Sequence, residues 1–446
     1  MSRRRTPPLA ALLTAFALSA VAVPAQAAND PMLSEQWALS TPTATGAPEA
    51  WTQSRGDGVV VAILDSGVQF DHPDLAANLW TNPGEVAGNG VDDDRNGYTD
   101  DVHGANIISP AASATDDEGH GTHVAGIVAA PAGNATGGAG IAPGARIMSV
   151  KVLDANRVGD SSLLAKGIRY AVDEGARILN ISLNGEGTSP DLDDALRYAG
   201  DRGATVVTSA GNNSRDLDLR PSYPASSPLP AVLSVTATER SGGLLPVANR
   251  GLSSVDIAAP GAMILSTALG SRYEHRQGTS MAAPFVAGSL ALLSAARPDL
   301  PQSALRAALM DGATRNDLLA GLLGSGGLDV GAAMHRVLPG SMWRAAPAAG
   351  SGTATASARV QVLAKAHILA GRAAAVRWRA SGDARVASWR VLLDGRRVGT
   401  VAKGRRSMLR TRVSRTGRHR WKVVGVDAAG KRVVSATRSF RVVRER

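Results

Sequence analysis

Three side chains in this 446-residue chain, Asp65, His120 and Ser280, have the types that catalysis by a hydroxyl nucleophile requires. A serine hydroxyl is a weak nucleophile near neutral pH. It needs an adjacent base, and the base needs a third group that fixes its tautomer and stabilises its cation. Asp65 closes an apolar run, VVVAILDSGV, where a carboxylate is held rigidly but where α/β folds also place turn residues. His120 lies in GHGTHVAG at the start of a helical pattern, between glycines that permit close backbone approach. Ser280 lies in GTSMAAP, where a serine also serves as a helix cap. Pro284 is expected within or just after the first turn, where a missing N–H costs little. His120 and His123 are three apart and could share a metal, but no third ligand or adjacent Glu follows the zinc-helix spacing. His123 reads better as structural and His120 as a general base.

The elements that must hold these groups are legible in the hydrophobic pattern. Runs at 59–64, 146–153, 176–183, 204–209 and 231–237 are nearly continuous in aliphatic and β-branched residues, as in strands buried on both faces. Amphipathic stretches at 120–130, 161–175, 191–202 and 280–296 lie between or beyond them. The alternation implies an α/β fold with a doubly wound, mostly parallel sheet. In such sheets the site lies outside the carboxyl ends of the strands.

Residues 341–355 are rich in Pro, Gly, Ala and Ser and read as a linker. Beyond it, short alternating runs fall at 358–368, 374–379, 389–393, 398–401, 409–413, 420–426 and 433–443, with Asp394-Gly395 as a hairpin turn. Residues 356–446 are therefore expected to form a small antiparallel β-sandwich of immunoglobulin or fibronectin size. Trp378, Trp389 and Trp421 are expected in its core.

Hydrophobic residues make up 44% of the chain and charged residues 19%, enough to bury a full core. Cysteine is absent, which excludes a thiol nucleophile, a metal–thiolate site and a disulfide framework. Arg3, Arg4 and Arg5, the apolar stretch 9–23 and the sequence Pro24-Ala25-Gln26-Ala27 form the three parts of a signal peptide over 1–27, so a secreted or periplasmic location is expected. That apolar run is shorter than the roughly 20 residues a membrane span needs, and no later segment is expected to span. The net charge of +10 hides a division. Residues 351–446 hold 24 basic and 4 acidic residues, against 24 and 34 in the rest. The basic end suits contact with an anionic surface, such as acidic polysaccharide, lipid headgroups or nucleic acid. It also suits a solvated surface or docking on the acidic part.

Taken together, the segments around Asp65, His120 and Ser280 resemble the subtilisin-like serine proteases, whose triad has this chain order. The resemblance covers about residues 28–340 and implies a serine endopeptidase acting on protein or peptide substrates through an acyl-enzyme. By that likeness Asp65 orients His120, His120 takes the Ser280 proton, and Asn212 in SAGNN stabilises the oxyanion with the Ser280 N–H. Ser182, Leu183 and Asn184 resemble the edge that pairs with an extended substrate, and 157–159 the facing edge. Ser209 and Gly211 would line the pocket for the residue before the cleaved bond, giving broad, mostly apolar specificity. Asn184 stands where the family usually has Gly, and Ser222 near the expected pocket floor; either would narrow the pocket.

Asp92, Asp94, Asn96, Gly97 and Asp100 fit a D-x-D-x-N-G calcium loop, although His103 stands at its twelfth position. Similar loops in subtilases bind Ca²⁺, so a structural Ca²⁺ is expected here, with a solvated acidic loop as the alternative. Asp74 resembles another family calcium ligand. Only about ten residues separate Ala27 from Trp37, so no folding propeptide is expected between signal and catalytic region. A binding protein that kept the fold without the chemistry is the competing reading; the presence of Asp65, His120, Ser280 and Asn212 together weighs against it.

Overall fold

In the computed structural model the residues described are 29–41, 44–340, 342–343, 359–364, 367–369, 373–381, 388–394, 396–402, 408–412, 416–426 and 432–443. The expected signal peptide and most of the expected linker lie outside them. The chain divides into two units, 1–348 and 349–446.

The first unit is built on six strands: β1 (Val60–Asp65), β2 (Arg146–Lys151), β3 (Ile178–Ile181), β4 (Thr205–Ser209), β5 (Val232–Thr238) and β6 (Ile257–Pro260). All pair in parallel in the order β2-β1-β3-β4-β5-β6. The chain steps from β1 to β2 on one side and returns to place β3 on the other. Strand order therefore reverses at β1, and the crevice that such a reversal opens lies at the Asp65 end.

Period-2 alternation divides β1 between two cores. Val61 and Ile63 pack with α3 (His120–Ala129) and α6 (Thr279–Ala296); Ala62 and Leu64 pack with α4 (Ser161–Asp173) and α5 (Pro190–Asp201). Four helices lay outside the sequence expectation: α1 (Trp37–Ser40), α2 (Ala47–Ala50), α7 (Gln302–Gly312) and α8 (Val330–Val337). So did β6 and a two-stranded ribbon, β7 (Ile264–Ala268) and β8 (Arg272–Arg276). β6 is apolar but only four residues long, and β8, RYEHR, is half-exposed and shows no apolar run.

Two expectations need correction. Helix α6 is long and apolar enough, by length and composition, to cross a membrane, although no such later segment was expected. Its apolarity has another cause: 14 of its 18 residues are buried in the first unit, so it is hydrophobic all round. Helix α6 starts at Thr279, which makes Pro284 its sixth residue, one further in than a start at Ser280 implies and past the first-turn positions whose N–H is free. A proline there cannot donate to the Ser280 carbonyl four residues earlier. The Ser182 Oγ donates to that carbonyl instead, at 2.9 Å.

In the second unit β10 (His367–Leu369), β16 (Arg432–Val443), β15 (Gly417–Val426), β12 (Ser388–Leu393) and β13 (Arg396–Ala402) form one sheet. β14 (Met408–Arg412), β11 (Ala373–Ser381) and β9 (Arg359–Ala364) form another. Pairing is antiparallel except between β10 and β16, which run parallel. The run expected as one strand at 358–368 is two, β9 and β10, one in each sheet. β12 and β13 pair across Asp394, whose φ of 50° suits a tight hairpin. Trp389, Val391, Trp421 and Val423 are buried on one face, where Val391 pairs with Val423. The Trp378 side chain lies outside the described residues.

Candidate active site

Asp65 is the last residue of β1 and fully buried. Its Oδ1 and Oδ2 lie 2.8 and 2.9 Å from His120 Nδ1, and the Ser66 N–H donates to Oδ1 at 2.8 Å. An ionised carboxylate only accepts, so Nδ1 carries the proton and Nε2 is left as the basic nitrogen. His120 opens α3 after Gly119, whose φ of 104° favours glycine. Gly121 is required for a different reason: a Cβ there would lie 2.0 Å from the Gly67 carbonyl oxygen, in the loop after Asp65.

Two acidic residues just before His120 hold the helix start. Asp116 accepts from the N–H groups of Glu118, Gly119 and Thr122 and from Thr122 Oγ1, at 2.6–3.0 Å. Burial would push its carboxyl up; these bonds outweigh burial and hold it below its ordinary range. Glu118 Oε2 accepts from the His120 N–H at 2.8 Å. The buried Lys151 ties the surrounding loops together. Its Nζ donates to the carbonyls of Ser66 and Leu153 and to Asp117 Oδ1 at 2.7, 2.9 and 2.7 Å. Sequence reasoning missed all three. The DDEGHG run was the available signal for Asp116 and Glu118, whereas Lys151 reads as an ordinary strand-end lysine.

His120 and Ser280 line one shallow cavity of about 460 Å³, with Asn212 in the same wall. Among the described residues no hydrogen bond joins Ser280 Oγ to His120; the hydroxyl donates to the Ser182 carbonyl at 3.0 Å. Asn212 is exposed, and its Oδ1 accepts from Thr279 N and Oγ1 at 2.9 and 3.2 Å. That arrangement leaves Nδ2 as the donor facing the cavity. His123 is buried and its Nε2 lies 3.1 Å from the Glu274 carbonyl. Burial, before all else, pulls its pKa down to about 4.

A cleft of about 410 Å³ adjoins this cavity and shares Ser280, Asn212 and Arg157 with it. Ser182, Leu183 and Asn184 form one edge, Arg157 and Gly159 the facing one. Ser209 and Gly211 do not line it. Ser209 is wholly buried at the end of β4, and Gly211 lies beneath Asn184, whose Nδ2 would be 2.8 Å from a Cβ at that glycine. The Asn249 and Asn184 amides together crowd Gly211, at 2.6 and 2.8 Å from that Cβ position. Ser222 lies behind the cleft, donating to the Gly185 carbonyl at 3.1 Å, while Tyr223 lines it.

The acidic loop gathers a different set from the one its spacing suggests. Asp92, Asp94 and Glu85 place one oxygen each within 4.8 Å of one another. Asp100 is turned away, accepting from the N–H groups of Gly88, Asn89 and Gly90 at 2.7–3.1 Å. The Asn96 amide donates to Asp94 and Asp101. Among the described residues Glu85 Oε2 is buried without a hydrogen-bond partner. Elsewhere Asp74 is fully buried beside Asn134, which donates to Asp74 through Nδ2 and to Asp30 through its backbone N–H, at 2.8 and 3.0 Å. Burial pushes the Asp74 carboxyl up to about 6.

The subtilase family model matches residues 56–328, which include Asp65, His120, Asn212 and Ser280. The chain belongs to the subtilase family. It is 37% identical over 266 residues to thermitase of Thermoactinomyces vulgaris, covering 60% of this chain and 85% of that one. It is 35% identical over 303 residues to an extracellular protease of Xanthomonas campestris pv. campestris, covering 60% of this chain and 50% of that one. An intracellular serine protease of Paenibacillus polymyxa is 37% identical over 247 residues, covering 55% of this chain and 70% of that one. The match to the Xanthomonas protease spans only half of that relative's length. A solved protease from Pseudoalteromonas arctica PAMC 21717 superposes with a TM-score of 0.56 at 32% identity, over 70% of this chain and 99% of that one. This subtilase is accordingly a serine-type endopeptidase with the subtilisin-like α/β fold.

Proposed function

We propose that Asp65, His120 and Ser280 are the catalytic triad of a secreted endopeptidase, with Asn212 as its oxyanion donor. The observation that carries this reading is the contact of both Asp65 oxygens with His120 Nδ1, beside a cavity that also holds Ser280. An extended peptide lies between the Ser182–Asn184 edge and the facing edge and is read through backbone hydrogen bonds. The Ser280 hydroxyl turns from the Ser182 carbonyl to His120 Nε2, a tightening expected on substrate binding. Ser280 Oγ attacks the scissile carbonyl as its proton passes to Nε2, while Asp65 stabilises the imidazolium. Asn212 Nδ2 and the Ser280 N–H donate to the developing oxyanion. His120 then returns the proton to the leaving amine, and water repeats the sequence on the acyl-enzyme. Leu153, Leu164, Leu183 and Leu192 in the cleft favour apolar side chains before the cut, and Asn184 narrows the space available to them.

The residues also fit structural Ca²⁺, a hard cation bound by oxygen ligands. Glu85, Asp92 and Asp94 would hold one ion, and the partnerless buried Oε2 of Glu85 supports that site. Asp74 adds no second group of this kind, because its oxygens already accept from Asn134 Nδ2 and the Gly138 N–H at 2.8 and 3.2 Å. The signal-like residues 1–27 support export, and the excess of basic residues in 351–446 supports contact with an anionic surface.

The deciding experiment is fluorophosphonate labelling of the purified protein beside Ser280→Ala, with casein hydrolysis in parallel. Labelling and hydrolysis should be lost together in the variant. No labelling of correctly folded wild type would overturn the catalytic reading.

A further inference from the structure

The cavity that holds His120 and Ser280 is rich in hydrogen-bond donors: Arg157, Arg276, Gln277 and Asn212 line it, and among the described residues Glu118 is the one carboxylate in its lining. Both Glu118 oxygens are already engaged. Oε2 accepts from the His120 N–H at 2.8 Å, and Oε1 lies 3.8 Å from Arg157 Nε. Arg276 Nε donates to Glu274 Oε1 at 2.5 Å, outside the lining, while a Cβ on Gly119 would lie 3.4 Å from its Nη2. The end of that guanidinium therefore lies beside the residue preceding His120. Each guanidinium therefore has one carboxylate beside it, Glu118 at 3.8 Å from Arg157 and Glu274, outside the lining, at 2.5 Å from Arg276, and each keeps further N–H donors.

The adjoining cleft has a different character, with four leucines in its lining. The two spaces that meet at Ser280 thus differ: the cleft carries the leucines together with Asp160, while the cavity carries Arg276, and Arg157 lines both. Because His120 hands its proton to the leaving amine, the leaving segment must pass on the His120 side. An arginine pairs with a carboxylate through its planar fork of donors, often in bidentate fashion.

We infer that Arg157 and Arg276 select substrates whose leaving segment carries an Asp or Glu side chain within the first residues after the cleaved bond. This rests on the catalytic reading of His120 and Ser280. It extends that reading by naming the charge class of the leaving side.

The test uses the full chain and two quenched-fluorescence peptides that differ only in Asp or Ala at the first two positions after the cut, with the cut located by mass spectrometry. Exposed ion pairs of this kind predict a kcat/KM ratio of about fivefold in favour of the Asp peptide at low salt. The ratio should fall toward one as ionic strength rises from about 0.01 M to about 1 M, because the Debye length shrinks from about 30 Å to about 3 Å. It should fall likewise in the Arg157→Gln/Arg276→Gln variant. A ratio of one in the wild type at low salt, or a preference that salt leaves unchanged, overturns the inference. If the double variant does not fold, the salt titration of the wild type still decides. Ser280→Ala separates the two readings. Residual cleavage by that variant would defeat the triad, whereas complete loss beside a flat ratio would defeat only the acidic preference.

Discussion

Ser182 and Ser280 exchange hydrogen bonds: the Ser182 hydroxyl donates to the Ser280 carbonyl at 2.9 Å, and the Ser280 hydroxyl donates to the Ser182 carbonyl at 3.0 Å. The Asn180 amide donates to Ser182 Oγ at 2.9 Å, fixing that hydroxyl. The pair pins the start of α6 to the chain leaving β3, and Pro284 makes it necessary by removing the helical donor for the Ser280 carbonyl. Ser182→Ala is expected to leave that carbonyl without a protein donor and to loosen the nucleophile. A net hydrogen bond is worth about 1 kcal/mol, so the labelling rate at Ser280 should fall about fivefold. An unchanged rate would remove Ser182 from any positioning role.

Asp65→Asn should be far more damaging. An amide presents a donor where His120 Nδ1 needs an acceptor, which favours the wrong tautomer. In the corresponding change of a serine protease triad, turnover falls about 10⁴-fold with geometry preserved. Peptide kinetics on the variant, with circular dichroism to confirm folding, measure this; a loss below tenfold would contradict the role given to Asp65.

For Asn212→Leu a fall of about 10²–10³ in kcat with little change in KM is expected, the magnitude known for the corresponding donor of subtilisin and carried over rather than calculated. Equal losses through KM would mean that Asn212 binds substrate and does not stabilise the transition state.

Chelation should lower the melting temperature. An ion present at 100 times its Kd adds about 2.7 kcal/mol to stability. In a unit of this size that moves Tm by roughly 5 °C. The calcium-dependent part should shrink in Glu85→Gln/Asp94→Asn. Identical melting curves with and without chelator would defeat the calcium site.

His123 should make stability depend on acidity. Burial lowers its native pKa to about 4 from the ordinary 6.5. Between those values the unfolded chain binds a proton that the native state refuses. Stability is therefore full above the ordinary value and declines as pH falls through the window. Urea unfolding across that range should show a slope up to one proton steeper in the wild type than in His123→Gln. Equal slopes would show that His123 does not contribute.

The parallel sheet and helices α3–α6 were legible in the chain itself, which also singled out Asp65, His120, Ser280 and Asn212 as candidates. Strands buried on both faces must be apolar throughout, and helices packed on one face, α4 and α5, must be periodic; α3 and α6, expected as amphipathic, are instead buried nearly all round and show as apolar runs. The short β6, the half-exposed β8 and helices α1, α2, α7 and α8 fell outside the expectation. What only the tertiary structure decided joins residues far apart in the chain. Examples are the Ser182–Ser280 exchange, Lys151 among three loops, Glu85 in place of Asp100 beside Asp92 and Asp94, and Asn184 with Asn249 against Gly211. The acidic spacing from 92 to 100 was compatible with a calcium loop, but the positive φ at Asp100 turns its carboxylate onto the backbone of 88–90. Periodicity and motif spacing report which face a residue takes; which distant partner meets it there depends on how loops close, and that is set by packing across the whole unit.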